Sequence, residues 1–273
     1  MGLLHQAAYR GELRNVQWLI DEGLVSVMGT DVRGETALHT AASRGLSEVV
    51  LLLISKHANV NASGRAGWAP LHYAALCREQ SGVVKLLLEN GADVDKKCKN
   101  LMTPLNISCF SGTSESTIEC LIKHGGADVQ SVDIHGSTPL HRAAEAGHLH
   151  VIRQLCAYDV DINARDRCGW TPLHKASFDG HAGAVDELVA IGVDISCRVK
   201  DGLHRSKTAA ELARTRGHDH IAESLETECI LRSVSVCMGR HARLGELSML
   251  SRLDLELIRK ILEDSTRDVT PLP

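Results

Sequence analysis

A short apolar motif recurs along this chain at an almost fixed interval, and that interval constrains the fold more than any single residue does. Leu-Leu-His-Gln-Ala-Ala at residues 3–8 returns as Thr-Ala-Leu-His-Thr-Ala-Ala at 36–42 and as Ala-Pro-Leu-His-Tyr-Ala-Ala at 69–75. Related segments stand at 103–109, 138–144 and 171–177, with a degraded version, Thr-Ala-Ala-Glu-Leu-Ala, at 208–213. The anchor position is held by His5, His39, His72, Asn106, His141, His174 and Glu211, at successive spacings of 34, 33, 34, 35, 33 and 37 residues. A period of this length is one supersecondary unit. Such a unit cannot bury its apolar face alone and becomes stable only when stacked on its neighbours.

Each unit spells out a pair of helices. Thr-Pro opens the first: the Thr oxygen caps free backbone N–H groups, and Pro stands where its missing N–H costs nothing. Small pairs such as Ala41/Ala42, Ala74/Ala75 and Ala143/Ala144 let neighbouring helices approach closely. Gly11, Gly45, Gly112, Gly147, Gly180 and Gly217 fall where a left-handed residue ends that helix. A second helix follows with apolar residues at helical spacing, as in Val50, Leu53, Ile54 and in Val185, Leu188, Val189. Gly34, Gly67, Gly136 and Gly169 mark the turns of a projecting hairpin.

The motif resembles the ankyrin repeat, whose signature is T-P-L-H-x-A at a period near 33. The resemblance covers residues 1–226 and implies an all-α solenoid of about seven helix-turn-helix units with short β-hairpin loops. Residues 227–273 form a separate helical tail. Units three and four each carry one extra residue, around Cys77–Gly82 and Ser111–Thr117, and Asp201–Lys207 inserts about four before unit seven. Glu211, Glu223 and Glu226 are expected to make the last unit polar, as a capping unit requires.

Composition narrows the function. Aromatic residues are only 3% of the chain and its formal charge is -4 with no block of like charge, so there is no electrostatic footprint for nucleic acid or an anionic membrane. The longest apolar run, about Val49–Ile54, is far short of the roughly 20 residues of a membrane span. Nine scattered cysteines with no CxxC pair suit reduced thiols in the cytoplasm or nucleus better than a disulfide framework. Fifteen histidines invite a metal reading, yet five occupy the repeat anchor, where the resemblance implies a brace between adjacent units. The pairs His148/His150 and His218/His220 are two residues apart and do not share a helix face. No GxSxG elbow or phosphate loop is present. No cofactor, no metal and no catalytic residue is expected.

What remains is surface. By position in the repeat, a protein partner would meet the hairpin tips at Arg33, Glu35, Arg65, Trp68, His135, Arg167 and Trp170. It would meet the first-helix face at Tyr73, Arg142, Lys175, Phe178 and Asp179, with the chain itself a monomer. Trp, Tyr and Arg are the residue types that most often carry interface energy. Trp68 and Trp170 could equally pack on adjacent hairpins. Asn61 and Asn163 resemble the context of ankyrin asparagine hydroxylation.

In the tail, a short helix over Cys229–Val236 and a connector at Met238–His241 are expected before an amphipathic helix. That helix places Leu253, Leu257, Ile258, Ile261 and Leu262 on one stripe behind a capping-box spacing at Ser251–Asp254. It resembles the start of an F-box, with Asp254 in place of Pro, or a SOCS box, with Ser251 in place of Cys. Either would make the chain a ubiquitin-ligase substrate receptor. The plainer expectation is a helix that covers the last repeat.

Overall fold

The computed structural model describes residues 2–77 and 81–241, the last eight of these as backbone alone. Seven helix pairs follow one another: α1 (Leu3–Arg10) with α2 (Leu13–Asp21), α3 (Ala37–Ser43) with α4 (Ser47–Ser55), and α5 (Pro70–Leu76) with α6 (Ser81–Glu89). Next come α7 (Pro104–Ser111) with α8 (Glu115–Glu119), α9 (Pro139–Glu145) with α10 (Leu149–Cys156), and α11 (Pro172–Phe178) with α12 (Ala182–Ile191). The last pair is α13 (Ala209–Thr215) with α14 (Asp219–His241). First helices pack on first helices down the stack, and second helices on second.

The core is one continuous layer because every unit contributes the same positions. Leu38, Leu71, Leu105, Leu140 and Leu173 from the first helices are buried, as are the small pairs behind them, alanines in units two, three and five, Ser108/Cys109 in unit four and Ala176/Ser177 in unit six. Leu53, Leu87, Leu121, Leu155 and Leu188 meet them from the second helices. The projecting loops form no strand among the described residues. Each is closed instead by a main-chain bond, as from the Asp133 N–H to the Ser137 carbonyl (3.1 Å) and from the Asp166 N–H to the Trp170 carbonyl (2.9 Å). The only bridge described is the isolated pair Thr30 and Thr36.

Unit four holds its extra residue near Ser111–Thr117 in the turn between its helices, since α8 begins three residues after Gly112 whereas α10 begins two after Gly147. After Glu119 the chain widens into a π-helical turn over Cys120–His124, the usual way a helix accommodates one surplus residue. A further surplus residue is taken up there, as the Ala127 N–H reaches six residues back to the Leu121 carbonyl (3.0 Å) where Ala92 reaches five back to Leu87, and Ile118 and Leu121 stay buried. The expected break at Met238–His241 does not occur, since α14 runs on as helix through His241. Residues 219–238 contain neither Gly nor Pro. Arg232 ties this extension to the stack, pairing with Glu228 (2.8 Å) and donating to the Val189 and Val193 carbonyls (2.8 Å each). Leu253, Leu257, Ile258, Ile261 and Leu262 lie outside the described residues.

Candidate protein-binding surface

The anchor side chain fixes how one unit sits on the next. In unit five the His141 Nδ1 accepts from the Thr138 N–H (3.2 Å) and lies 2.9 Å from the Thr138 hydroxyl. That leaves the proton on Nε2, which donates across to the Trp170 carbonyl (2.9 Å). The same arrangement joins His39 to Trp68, His72 to Met102 and His174 to Cys197. Burial pushes the His72 and His174 pKa values down to about 4, and lowers those of His39 and His141. These imidazoles are neutral braces. His5 contacts the Glu35 carbonyl in the same way (2.8 Å).

Two anchors depart from this pattern. Asn106 does the imidazole's work with an amide: its Oδ1 accepts from the Thr103 N–H (3.0 Å) and hydroxyl (2.9 Å), and its Nδ2 donates to the Ser131 carbonyl (3.4 Å). Glu211 accepts from the Thr208 N–H (2.7 Å) and faces Arg198 (3.4 Å). It caps its helix and stays exposed, so it also adds to the polar surface of the last unit. Glu226 forms a two-point pair with Arg214 (2.7 and 3.1 Å) on the surface of the same unit.

The tips form a ladder. The Arg65 N–H donates to the Arg33 carbonyl (2.8 Å), Lys99 to Ala66 (3.0 Å), Ile134 to Asn100 (2.9 Å), Arg167 to His135 (3.0 Å) and Lys200 to Cys168 (3.1 Å). Three tips carry an aspartate whose Oδ1 accepts two loop N–H groups: Asp31, Asp133 and Asp166. The second oxygen of Asp133 takes the Arg142 guanidinium, and that of Asp166 takes Lys175 (3.2 Å). Arg142 and Lys175 are therefore only 14% and 20% exposed and are held by buried carboxylates. Sequence reasoning placed both on the open face, where their reach toward a partner is in fact restricted. The signal for the brace was the Asp nine residues before each.

Two aromatic groups sit between tips and first helices. Trp68 packs on Tyr73 (ring centroids 5.0 Å), and the Tyr73 hydroxyl is bonded to Glu35. Burial, aided by that carboxylate, pushes the Tyr73 phenol up. Trp170 packs on Phe178 (5.1 Å) and on His204 (5.7 Å), with Lys175 over its ring (5.0 Å). Both tryptophans are half-buried, each resting on the first helix of its own unit. Arg33, Arg65, His135, Arg167 and Asp179 are the candidates left exposed. Phe110, 47% exposed, and Leu76, 42% exposed, join that face though sequence reasoning passed over them. They occupy the same repeat position as Phe178, four residues after the anchor.

At the opposite end of the units, Asn61 and Asn163 are structural ties. Asn61 accepts from the Asp93 N–H and donates to the Gly91 carbonyl (2.8 Å each), and Asn163 accepts from the Asp194 N–H (2.8 Å). His148 and His150 each engage a main-chain carbonyl of unit four, those of Phe110 (3.0 Å) and Thr113 (3.1 Å). Among the described residues no group of three or more His, Cys, Asp or Glu is gathered to hold a metal ion, and no helix is long and apolar enough to cross a membrane. The eight described cysteines are free thiols.

Stacked helix pairs, laddered tips and imidazole braces define a helical repeat solenoid. Family models for ankyrin repeats match residues 4–98, 80–166 and 168–200. The chain belongs to the ankyrin-repeat family, whose members are protein-interaction modules. It is 32% identical over 159 residues to the probable 26S proteasome regulatory subunit p28 of Saccharomyces cerevisiae, covering 56% of this chain and 68% of that one. It is 37% identical over 121 residues to mouse neurogenic locus notch homolog protein 1, covering 44% of this chain and 5% of that one. A similar match to alpha-latrotoxin-Lg1a of Latrodectus geometricus, at 32% identity, covers 42% of this chain and 8% of that one. The chain thus spans under a tenth of the length of these last two relatives. The human ASB11 ankyrin repeat domain superposes with a TM-score of 0.70 at 22% identity, over 82% of this chain and 98% of that one.

Proposed function

We propose that this chain is a non-enzymatic scaffold that holds another protein against its tips and the open face of its first helices. The observation that carries this reading is the tip ladder, which sets the exposed side chains of Arg33, Arg65, His135 and Arg167 in one row on a rigid frame. Side chains held on a rigid scaffold lose less freedom on binding than side chains on mobile loops. Among the described ion pairs none involves Arg33, Arg65 or Arg167, so they are available to a partner. The test is affinity capture with the intact chain and with the triple variant Arg33→Glu, Arg65→Glu, Arg167→Glu. Specific partners should be lost while the thermal melt is unchanged. Equal capture by both proteins would sink this surface. Trp68→Ala and Trp170→Ala should weaken capture less than the arginine reversal, since both rings already rest on their own units.

The second reading is a ubiquitin-ligase substrate receptor, supported by the capping-box spacing and apolar stripe at 250–262. Truncation after Leu247 distinguishes the two. Loss of ligase adaptors from the captured proteins supports a receptor, whereas unchanged partners with a lower melting temperature support a covering helix. Asn61 and Asn163 are proposed hydroxylation sites, to be checked by peptide mass spectrometry of the chain from cells.

A further inference from the structure

Between the sixth and seventh units the anchor spacing lengthens from 33 to 37 residues, and the surplus forms a closed loop. The Val199 N–H donates to the Lys207 carbonyl (3.0 Å) and the Ser206 N–H to the Val199 carbonyl (2.9 Å). Lys200 and Asp201 both donate to the Cys168 carbonyl of the preceding tip (3.1 Å each). Arg198 latches the base of the loop by donating to the Ser206 carbonyl (2.6 Å). Beside it, Arg205, Ser206, Lys207, Glu211, Arg214 and Thr215 line a surface pocket of about 420 Å³.

The charge here is unlike that of the rest of the chain. Residues 198–216 hold six basic side chains and two acidic ones, in a protein whose formal charge is -4. One of the two, Glu211, is already engaged by Thr208 and Arg198. Of the four basic groups nearest the pocket, Arg198 and Arg214 are paired, with Glu211 and Glu226 respectively. Arg205 and Lys207 have no ion pair among the described residues, yet both line the pocket. In the same loop Leu203 is 93% exposed, two residues before Arg205 and four before Lys207. On the other side of the loop, His204 packs against Trp170 (5.7 Å) and Phe178 (5.3 Å), which fixes the loop to the open face.

We propose that this pocket docks an acidic segment of the partner protein, its Asp or Glu carboxylates between Arg205 and Lys207 and an apolar residue against Leu203. This rests on the interaction reading above and names the chemistry of one part of that surface. The two unpaired cations lining the pocket match two carboxylates of one acidic segment one for one, while Glu211 in the same lining is already paired with Arg198. Opposite charges at a rim act mainly on encounter and on salt dependence.

The test uses the full chain and a fluorescein-labelled peptide of alternating Glu and Leu, followed by anisotropy at low ionic strength. Binding is expected, weakening at about 0.15 M salt, where the screening length is about 8 Å. A Gln-for-Glu peptide should not bind. Arg205→Glu with Lys207→Glu should weaken the Glu peptide about tenfold or more. Arg14→Glu with Lys85→Glu, the same charge change on second helices far along the stack, should leave it unchanged. If the first pair shifts the urea midpoint, Arg205→Gln with Lys207→Gln replaces it, with a smaller loss expected. No binding, equal binding to both charge-reversed proteins, or preference for a phosphoserine peptide would overturn the proposal. If it fails while the Arg33, Arg65, Arg167 variant still loses captured partners, the interaction surface stands without this pocket. If the tip variant captures normally while the peptide result holds, the pocket stands without the tips.

Discussion

Units four and five are neighbours with the same architecture, braced by different chemistry. Unit five uses groups that carry or can acquire charge: the neutral His141 imidazole across to unit six, and the buried Asp133 carboxylate that closes the tip and holds Arg142. In unit four Asn106 stands for the histidine, Cys98 for the aspartate and Ile107 for the arginine. Around them Thr103, Ser108, Thr113, Thr117 and Ser131 are buried hydroxyls, with Ser108 donating to the Ala75 carbonyl (3.0 Å) and Ser131 close to Thr103 (3.3 Å). The stack therefore has two solutions to one problem, how to satisfy buried polar groups between units. One depends on protonation state and the other does not.

The largest expected consequence is in pH dependence. His72 and His174 have folded-state pKa values of about 4 against an ordinary value of 6.5. A depressed histidine pKa means the unfolded chain binds the proton more readily. The stability these braces contribute is thus complete above pH 6.5 and is lost as pH falls from 6.5 towards 4. At pH 5 each should cost about 2 kcal/mol, or about 4 kcal/mol together. Urea unfolding at pH 7.5 and pH 5 measures it, and His72→Asn should flatten the profile by one histidine's share. An unchanged urea midpoint at pH 5 would break the distinction between the two kinds of unit.

Next in size is the aspartate brace. Asp133→Ala leaves two loop N–H groups without their acceptor and the Arg142 guanidinium without its buried partner. Removing one member of such a group costs about 3 kcal/mol. The corresponding change in unit four, Cys98→Ala, removes a buried sulfur that holds no partner among the described residues and should cost about 1 kcal/mol. Equal losses in the two variants would show that the tips are held by the main-chain ladder alone.

The repeat period, the helix pairs and the left-handed glycines were legible in the sequence because each follows from local rules repeated along the chain, whereas the bracing role of the anchor came from the resemblance to the ankyrin repeat. Repetition averages out the ambiguity of any one unit. The departures from the period were visible too, but not how they resolve. The extra residue near Ser111–Thr117 lengthened the turn before α8, while a further surplus residue at Gly125–Gly126 widened the end of the second helix into a π turn. The open face was read less well. Arg142 and Lys175 look like free cations from spacing, and only the position of the aspartates shows them to be held. The converse error concerns Arg205 and Lys207, whose charge is unremarkable in a tally of the whole chain and becomes a patch only when the inserted loop closes.

The smallest expected effect is also the most direct conversion of one unit into the other. Asn106→His places an imidazole where the Thr103 N–H and hydroxyl already point at an acceptor, 3.0 and 2.9 Å away. The amide reaches the Ser131 carbonyl only at 3.4 Å, so a longer ring has room to close on it, as His141 closes to 2.9 Å on Trp170. At pH 7.5 the urea midpoint should move by about 1 kcal/mol or less, in the stabilising direction if that contact shortens. At pH 5 the same variant should be less stable than the wild-type chain, because a fourth-unit imidazole now resists protonation as its neighbours do. A variant that is indifferent to pH in that window would mean that the fourth unit's interior is open enough to hydrate a charged ring, and that its hydroxyls, more than Asn106, set it apart from unit five.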